Sequence, residues 1–144
     1  QLRDPGNLGT LMRTAVAVGA EAVLLTPGSV DPYSPKVVRS AAGAHFHIPI
    51  GVVPWEKIES LSRSLTIYLA DMQGESLYWE ADFTRRLGLL IGGEAHGATE
   101  RAKQIANHTI YLPMPGEAES LNAAIAGSVI AFEVLRQRRL KKDG

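Results

Sequence analysis

Short apolar runs rich in branched residues alternate along this sequence with stretches whose apolar side chains recur every three or four positions. The first pattern is typical of buried strands and the second of amphipathic helices. Helices are predicted over 8–19, 34–43, 55–65, 99–105 and 120–139, and strands over 22–26, 48–53, 66–70, 87–91 and 108–112. Regular alternation of this kind indicates an α/β domain with a mostly parallel sheet and flanking helices.

Composition excludes several classes of protein. The 144 residues contain no cysteine, which rules out disulfide frameworks, thiolate metal sites and cysteine nucleophiles. Fifteen basic residues balance fifteen acidic ones, so net charge does not point to a nucleic-acid partner. No apolar stretch is long enough to span a bilayer and no leader pattern is present, and we expect a soluble cytoplasmic protein.

Three polar loops lie where strands end or helices begin, which is where parallel α/β sheets bind ligands. The first loop, residues 1–9, leads into the first helix. We expect Asn7 to cap that helix, Gly9 to permit a close approach, and Arg13 to present a forked cation to phosphate or ribose. The alternative is an ordinary capped helix with a solvated arginine.

The second loop, residues 92–97, has three glycines around Glu94 and directly follows a predicted strand. It lacks the Gly-Lys-Ser/Thr ending of a phosphate-binding loop and the glycine spacing of a dinucleotide site. We expect a functional carboxylate at Glu94, the alternatives being a cap for the next helix or a pair with Arg13. His96 is expected to be an exposed loop residue.

The third loop, residues 112–122, enters the last helix through a bend containing two prolines and Gly116. Ser120 and Asn122 are expected to place a hydroxyl and an amide at the helix N-terminus, which attracts anions. The alternative is a helix cap and a rigid turn. Small residues over 123–128 suit close packing, either in the core or at a dimer interface.

Together the three loops resemble the ordered motifs of the SpoU (TrmH) family of RNA ribose methyltransferases, of the SPOUT class. The matching patterns are Asn7-x-Gly9-x-x-x-Arg13, Gly92-x-Glu94-x-x-Gly97 and Pro113-Met114-x-Gly116-x-x-x-Ser120-Leu121-Asn122. The resemblance extends from Gln1 to about Arg139, and its third motif is the most specific.

The resemblance implies transfer of a methyl group from S-adenosylmethionine to a ribose 2′-hydroxyl, without a metal, most simply in ribosomal RNA. Transfer RNA, or a non-catalytic RNA- or nucleotide-binding module of the same fold, are the alternatives. The family also implies a homodimer and a C-terminal deep trefoil knot. Catalytic roles fall on Arg13, Asn7, Glu94, Ser120 and Asn122, and cofactor binding on Leu69, Gly92, Leu112, Met114, Gly116 and Leu121.

The same resemblance defines residues 1–144 as a SpoU-type catalytic domain. Because a polar loop precedes the first helix, we expect the domain to lack its first strand and any N-terminal RNA-binding domain. Arginine remains protonated in almost every protein, so Arg13 is more easily an electrostatic activator of the hydroxyl than a free base.

Overall fold

The computed structural model describes residues 1–143 as an α/β domain in which helices and strands follow each other in the expected order. The helices are α1 (Pro5–Ala17), α2 (Pro35–Ala41), α3 (Trp55–Leu61), α4 (Glu100–Ile105) and α5 (Ala123–Asp143). The strands are β1 (Val23–Leu25), β2 (Ile50–Val52), β3 (Thr66–Ala70), β4 (Ser76–Leu77), β5 (Leu87–Ile91) and β6 (His108–Tyr111). Short 3₁₀ helices cover Ala44–Phe46 and Tyr78–Glu80.

Every ladder in the described residues is parallel, which confirms the predicted mostly parallel sheet with flanking helices. The strands form two groups, one with the order β1-β2 and one with the order β4-β6-β3-β5. Strand β4 was not predicted, because two residues are too few to show a period in the sequence.

The core consists of apolar clusters that attach helices to the two groups of strands. One cluster joins α1 and α2 to β1, and its fully buried members include Leu8, Met12 and Val37. A second joins the larger group to α5 through Tyr68, Phe83, Ile110 and Ile130. Burial of such side chains supplies most of the stabilisation of a domain this size.

Helix α1 approaches α2 closely because residue 9 has no side chain. A Cβ atom at Gly9 would overlap Ser40 Oγ and lie 2.7 Å from the backbone nitrogen of Ala41. The Ser40 hydroxyl in turn donates a hydrogen bond of 3.0 Å to the carbonyl of Pro5. The first turn of α1 is therefore held against the end of α2, as the predicted role of Gly9 requires.

The C-terminal half of α5 fixes the loop before β5. Gln137 accepts a hydrogen bond from the Phe83 amide at 2.9 Å and donates one to the Ala81 carbonyl at 3.0 Å, and Arg138 donates to the carbonyls of Phe83 and Arg85.

Over the part of the chain that the structure describes, no helix is sufficiently long and apolar to cross a bilayer.

Candidate active site

Two of the three loops leave the sheet at one edge. Strands β5 and β6 flank β3 in parallel, and Ala70 at the end of β3 pairs with Ile91 on one side and Ile110 on the other. The carboxyl ends of the three strands therefore lie side by side. Gly92 and Leu112 are the first residues after β5 and β6, so the second and third loops start next to each other.

The first loop reaches this edge through the N-terminus of α1, but its cap is not the expected residue. Asp4 is the N-cap: its side chain accepts a 2.8 Å hydrogen bond from the Asn7 amide, and Pro5 occupies the first helical position. The prediction that Asn7 caps α1 is thus wrong. The Asp-Pro pair, a typical helix start, carried the signal for the correct cap.

Freed from capping, the Asn7 side chain joins the three loops. Its Nδ2 donates to Glu94 Oε1 at 3.2 Å, and its Oδ1 accepts from Asn122 Nδ2 at 2.8 Å. Glu94 is 87 positions and Asn122 is 115 positions from Asn7 along the chain, and both contact its side-chain amide. We call this hydrogen-bonded group Glu94–Asn7–Asn122 the polar triad.

Glu94 is held by backbone groups as well as by Asn7. Its carboxylate accepts hydrogen bonds of 3.2 Å from the amides of both Arg3 and Asp4. Burial alone would raise the pKa of Glu94, but these hydrogen bonds outweigh it and the pKa lies below its ordinary value. The carboxylate is therefore charged at neutral pH.

Neither alternative reading of Glu94 is what the structure shows. The next helix, α4, is capped by Thr99, whose hydroxyl accepts from the Ala102 amide at 3.2 Å. The partners found for Glu94 within residues 1–143 are Arg3, Asp4 and Asn7, and Arg13 is not among them. The sequence did not reveal the two backbone donors, because amide positions depend on the tertiary fold.

Glycines shape the second loop. The amides and carbonyls of Gly93 and Gly97 exchange hydrogen bonds of 2.9 and 3.0 Å, which presents Glu94 and His96 at the tip. Gly97 has φ +64°, and a Cβ at Gly92 would lie 2.8 Å from the carbonyl carbon of Gly97. Side chains at these positions would deform the loop. His96 is exposed, as predicted.

Asn122 has two functions at the start of α5. Its Oδ1 accepts from the amides of Ala124 and Ile125 at 2.9 and 3.1 Å, while its Nδ2 binds Asn7. The helix begins at Ala123, so Ser120 lies outside it and is exposed. The expectation that Ser120 stands at the helix N-terminus is therefore wrong, because the side chain nearest to the free amides of the first turn is that of Asn122.

A contact between helices that the sequence did not indicate lies below the polar triad. The hydroxyls of Thr14 and Ser128 are 2.7 Å apart, which joins α1 to α5. Gly127 precedes this contact, and a Cβ there would lie 2.7 Å from Leu11 Cδ2. The small residues of α5 are accordingly used, at least at these two positions, to pack against α1.

Arg13 is not part of the polar triad. It is exposed, and it lines a shallow cavity of about 260 Å³ with Thr10, Thr14, Ala17 and Phe132. Six residues of helix separate it from Asn7, which corresponds to about 9 Å along the axis and a rotation of about 240°. Within one chain, Asn7, Glu94 and Asn122 are thus brought together, whereas Arg13 lies on a different face of α1.

The residues assigned to the cofactor are spread over the same sheet edge. Leu69 is completely buried within β3, so its side chain is not exposed at the carboxyl edge of the sheet. Leu112 packs into the core beside β6, Met114 is half-buried, and Gly116 and Leu121 are exposed. Their roles stay predictions.

The third loop offers unpaired backbone groups to a ligand. Within residues 1–143, the carbonyls of 113–121 and the amides of the non-proline residues among them have no protein hydrogen-bond partner. Such groups fit the polar edge of an adenosine and the amino-acid end of S-adenosylmethionine, which need both donors and acceptors. The donor set at this edge therefore fits the cofactor that the motifs imply.

A second cavity lies away from the polar triad. A cavity of about 360 Å³ between 62–66 and 107–108 opens at the amino ends of β3 and β6, opposite the site. Across the described residues, no three His, Cys, Asp or Glu side chains are grouped as metal ligands.

Comparison with known proteins identifies the class. Residues 1–132 match the family described as SpoU rRNA methylase. The chain is 35% identical over 92% of its length to the Bacillus subtilis 23S rRNA (guanosine(2553)-2′-O)-methyltransferase RlmP, covering 54% of that protein. It superimposes with a TM-score of 0.90 and 33% identity on the AdoMet complex of the SpoU methyltransferase AviRb from Streptomyces viridochromogenes, covering 97% of this chain and 58% of that one.

A second similar structure concerns the 2-OH methylation of C/U34 on tRNA, with a TM-score of 0.85 and 32% identity over 95% of this chain and 91% of that one. Fold and site together define a methyltransferase-type α/β domain. The chain belongs to the SpoU rRNA methylase family. It spans about half the length of the curated relatives it matches.

Proposed function

We propose that this chain is the catalytic domain of an S-adenosylmethionine-dependent methyltransferase that modifies a ribose 2′-hydroxyl in ribosomal RNA. The polar triad carries the proposal, because it gathers one residue from each of the three family motifs at the carboxyl edge of the sheet. The named relative that acts on 23S rRNA and the AdoMet-bound structure support the substrate class and the cofactor.

The cofactor would be held by the backbone of the loops after β5 and β6. When bound, it would supply an electrophilic methyl group on a sulfonium, so the protein must hold the ribose oxygen in line while the hydroxyl proton passes to a phosphate oxygen of the RNA. Glu94 and Asn122 hold Asn7 rigidly, and an amide fixed in this way can position a phosphate or ribose. The guanidinium of Arg13 would stabilise negative charge developing on the oxygen.

The separation of Arg13 from the polar triad supports a homodimer. Helix α5 exposes an apolar stripe at spacings of three and four residues, formed by Ile125, Val129 and Phe132. Phe132 and Arg13 line the same cavity, so the stripe and the arginine share one face. We propose that two copies bury this stripe, which places Arg13 of one protomer beside the polar triad of its partner.

Calorimetric titration with S-adenosylmethionine and S-adenosylhomocysteine tests the cofactor. We expect saturable binding, which Gly92→Val removes by pushing a side chain into the backbone of Gly97. Gly51→Ala is the matched control, since its Cβ meets only ordinary contacts of 3.8 Å or more. Absence of binding to the folded wild-type chain would refute the proposed enzyme and favour a non-catalytic binding module.

Transfer of labelled methyl groups tests the reaction and its substrate. Ribosomal RNA should become labelled, and the labelled linkage should resist alkaline cleavage because its 2′-oxygen is blocked. Arg13→Ala should abolish transfer and leave cofactor affinity nearly unchanged, and retained turnover would remove Arg13 from the mechanism. The structure concerned with tRNA, which this chain nearly covers, makes transfer RNA the second candidate, and labelling of tRNA alone would establish it.

A further inference from the structure

A pair of aromatic side chains is exposed on the two sides of α2, away from the residues assigned so far. Phe46, at the end of the 3₁₀ helix Ala44–Phe46, is 90% exposed, and Tyr33, just before α2, is 63% exposed. The Tyr33 ring contacts that of His45, the neighbour of Phe46, with ring centres 5.4 Å apart. Two large exposed rings, one in contact with His45 and the other on the next residue, indicate a binding surface more than a scattered exposed residue does.

The segment that presents Phe46 is firmly held. Ala42 and Gly43 adopt consecutive left-handed conformations with φ +47° and +88°, which sets the direction in which the 3₁₀ helix projects. His45 Nε2 donates a short hydrogen bond of 2.6 Å to the carbonyl of Pro32, and Ala44 is buried. A ring on such a support loses little freedom when a ligand stacks on it.

The charges around these rings favour a polyanion. Lys36 and Arg39 are exposed one turn apart on α2, and within residues 1–143 neither is paired with an acid. Asp31 is the sole acid in 27–49, and its Oδ1 accepts a hydrogen bond from the Tyr33 amide at 2.9 Å, so two basic side chains stand against one acid in this segment. We call Tyr33, Lys36, Arg39 and Phe46 the aromatic–basic surface.

This surface is rigidly connected to the candidate active site. Ser40, on α2 between Arg39 and the left-handed turn, donates to the Pro5 carbonyl at 3.0 Å, and Gly9 lies against the same part of α2. Asn7 of the polar triad is in that first turn of α1. A chain bound along α2 would therefore lead toward the polar triad.

We propose that the aromatic–basic surface binds a single-stranded segment of the RNA substrate next to the methylated nucleotide, with a base stacked on Phe46 and phosphates held by Lys36 and Arg39. The proposal rests on the proposed function. An apolar protein partner would use the rings but would not need the two unpaired cations. Exposed aromatic rings flanked by cations are a common arrangement for unpaired nucleotides.

Fluorescence anisotropy with labelled 12-nucleotide oligo(A) and oligo(U), and with an RNA duplex of equal length, tests the stacking. Phe46→Leu, which keeps an apolar side chain but removes the flat ring, should weaken single-strand binding about 5- to 150-fold, the range found for loss of one stacked base. Phe46→Trp should retain binding. Leu140→Ala, another exposed apolar position, is the matched control and should not change it.

Replacement of Lys36 and Arg39 by glutamine tests the phosphate contacts. The salt dependence of single-strand binding should become shallower by about 1.4 in the log–log slope, or about 0.7 per contact. Cofactor affinity is measured on the same variants and should stay at the wild-type value. Failure of the wild-type chain to bind S-adenosylmethionine would count against the proposed function itself.

The proposal is overturned if Phe46→Leu binds single strands as tightly as wild type while cofactor binding is intact. It is equally overturned if the wild-type chain prefers the duplex, or binds neither form of RNA. In those cases the rings would serve a protein contact instead.

Discussion

At the scale of the residue, Glu94 must be ionised to keep all of its hydrogen bonds. Two backbone amides and the Asn7 amide group donate to it, and a protonated acid would have to place its own hydrogen against one of these donors. The lowered pKa means that Glu94 stabilises the fold above its ordinary pKa of 4.5 and ceases to do so as pH falls through the lower, folded value.

Glu94→Gln tests this linkage. The glutamine replaces one carboxylate oxygen by an amide NH₂, which faces the backbone amides and Asn7 that donate to Glu94, so the variant should be less stable than wild type at pH 7. The difference in unfolding free energy should shrink as pH falls below 4.5, because wild type then loses the same charge. Urea unfolding at pH 7, 5 and 3.5 measures it. A difference that does not vary with pH would mean that the charge of Glu94 does not matter to the fold.

Asn122 allows its two functions to be separated. Asn122→Ala removes the helix cap and should cost about 1 kcal/mol of stability, within a usual range of roughly 0.5–2 kcal/mol. Asn122→Asp keeps an oxygen for the amides of α5 but cannot donate to Asn7, so stability should stay near wild type. Single-turnover methyl transfer should fall in both variants. Full activity of Asn122→Asp would show that the link to Asn7 is dispensable.

At the scale of the element, packing of α1 on α2 depends on the missing side chain at Gly9. Gly9→Ala gains up to about 1 kcal/mol in helix propensity but forces a methyl group into the backbone of α2. Overpacking of this kind costs about 1–3 kcal/mol, so a net loss of stability is expected. Unfolding by urea gives the value.

Gly127→Ala is the matched control for Gly9→Ala, since it places the same methyl group in a helix facing α1. The nearest atoms there belong to side chains, Leu11 Cδ2 at 2.7 Å and Ile91 Cδ1 and Cγ1 at 3.2 and 3.3 Å, and side chains can shift where the backbone cannot. Its effect on stability should be close to zero or slightly favourable. Equal losses at the two glycines would mean that backbone contact does not govern the α1–α2 interface.

At the scale of the whole molecule, the proposed dimer predicts a defined mass. Sedimentation should give twice the monomer mass of 15.5 kDa. Ile125→Asp, in the exposed stripe of α5, should give monomers, because a charge cannot be buried there without a partner. Leu140→Asp, exposed on the same helix beyond the stripe, should remain dimeric. Dimers of both variants would place the interface elsewhere.

Mixing inactive variants tests whether Arg13 acts on the partner's site. If it does, a heterodimer of Arg13→Ala and Asn122→Ala chains contains one site with both residues intact. Random mixing should then restore about a quarter of wild-type turnover, because half of the dimers are mixed and each has one working site. No recovery in mixed dimers would assign Arg13 to the site of its own chain.

Local chemistry in the sequence determined the identity and order of the five helices and five of the six strands, the parallel sheet, and the three loops that supply Asn7, Glu94 and Asn122; it missed the two-residue strand β4 and the short 3₁₀ helices. Periodicity and glycine placement are local signals, and they were sufficient for these features. The resemblance of the loops to the SpoU motifs indicated the family, and the match of residues 1–132 to the SpoU rRNA methylase family confirms it.

Only the tertiary structure decided which side chains the helix caps leave free, although the Asp4-Pro5 pair in the sequence already indicated the cap of α1. Asp4 relieves Asn7 of capping and Asn122 takes the place expected for Ser120, so one amide can join loops that lie far apart in the chain. It also turned Arg13 away from the polar triad. The path of 112–122 through a knot stays a prediction. Long-range hydrogen bonds depend on how strands and helices are brought together in space, and no pattern local to the sequence carries that information.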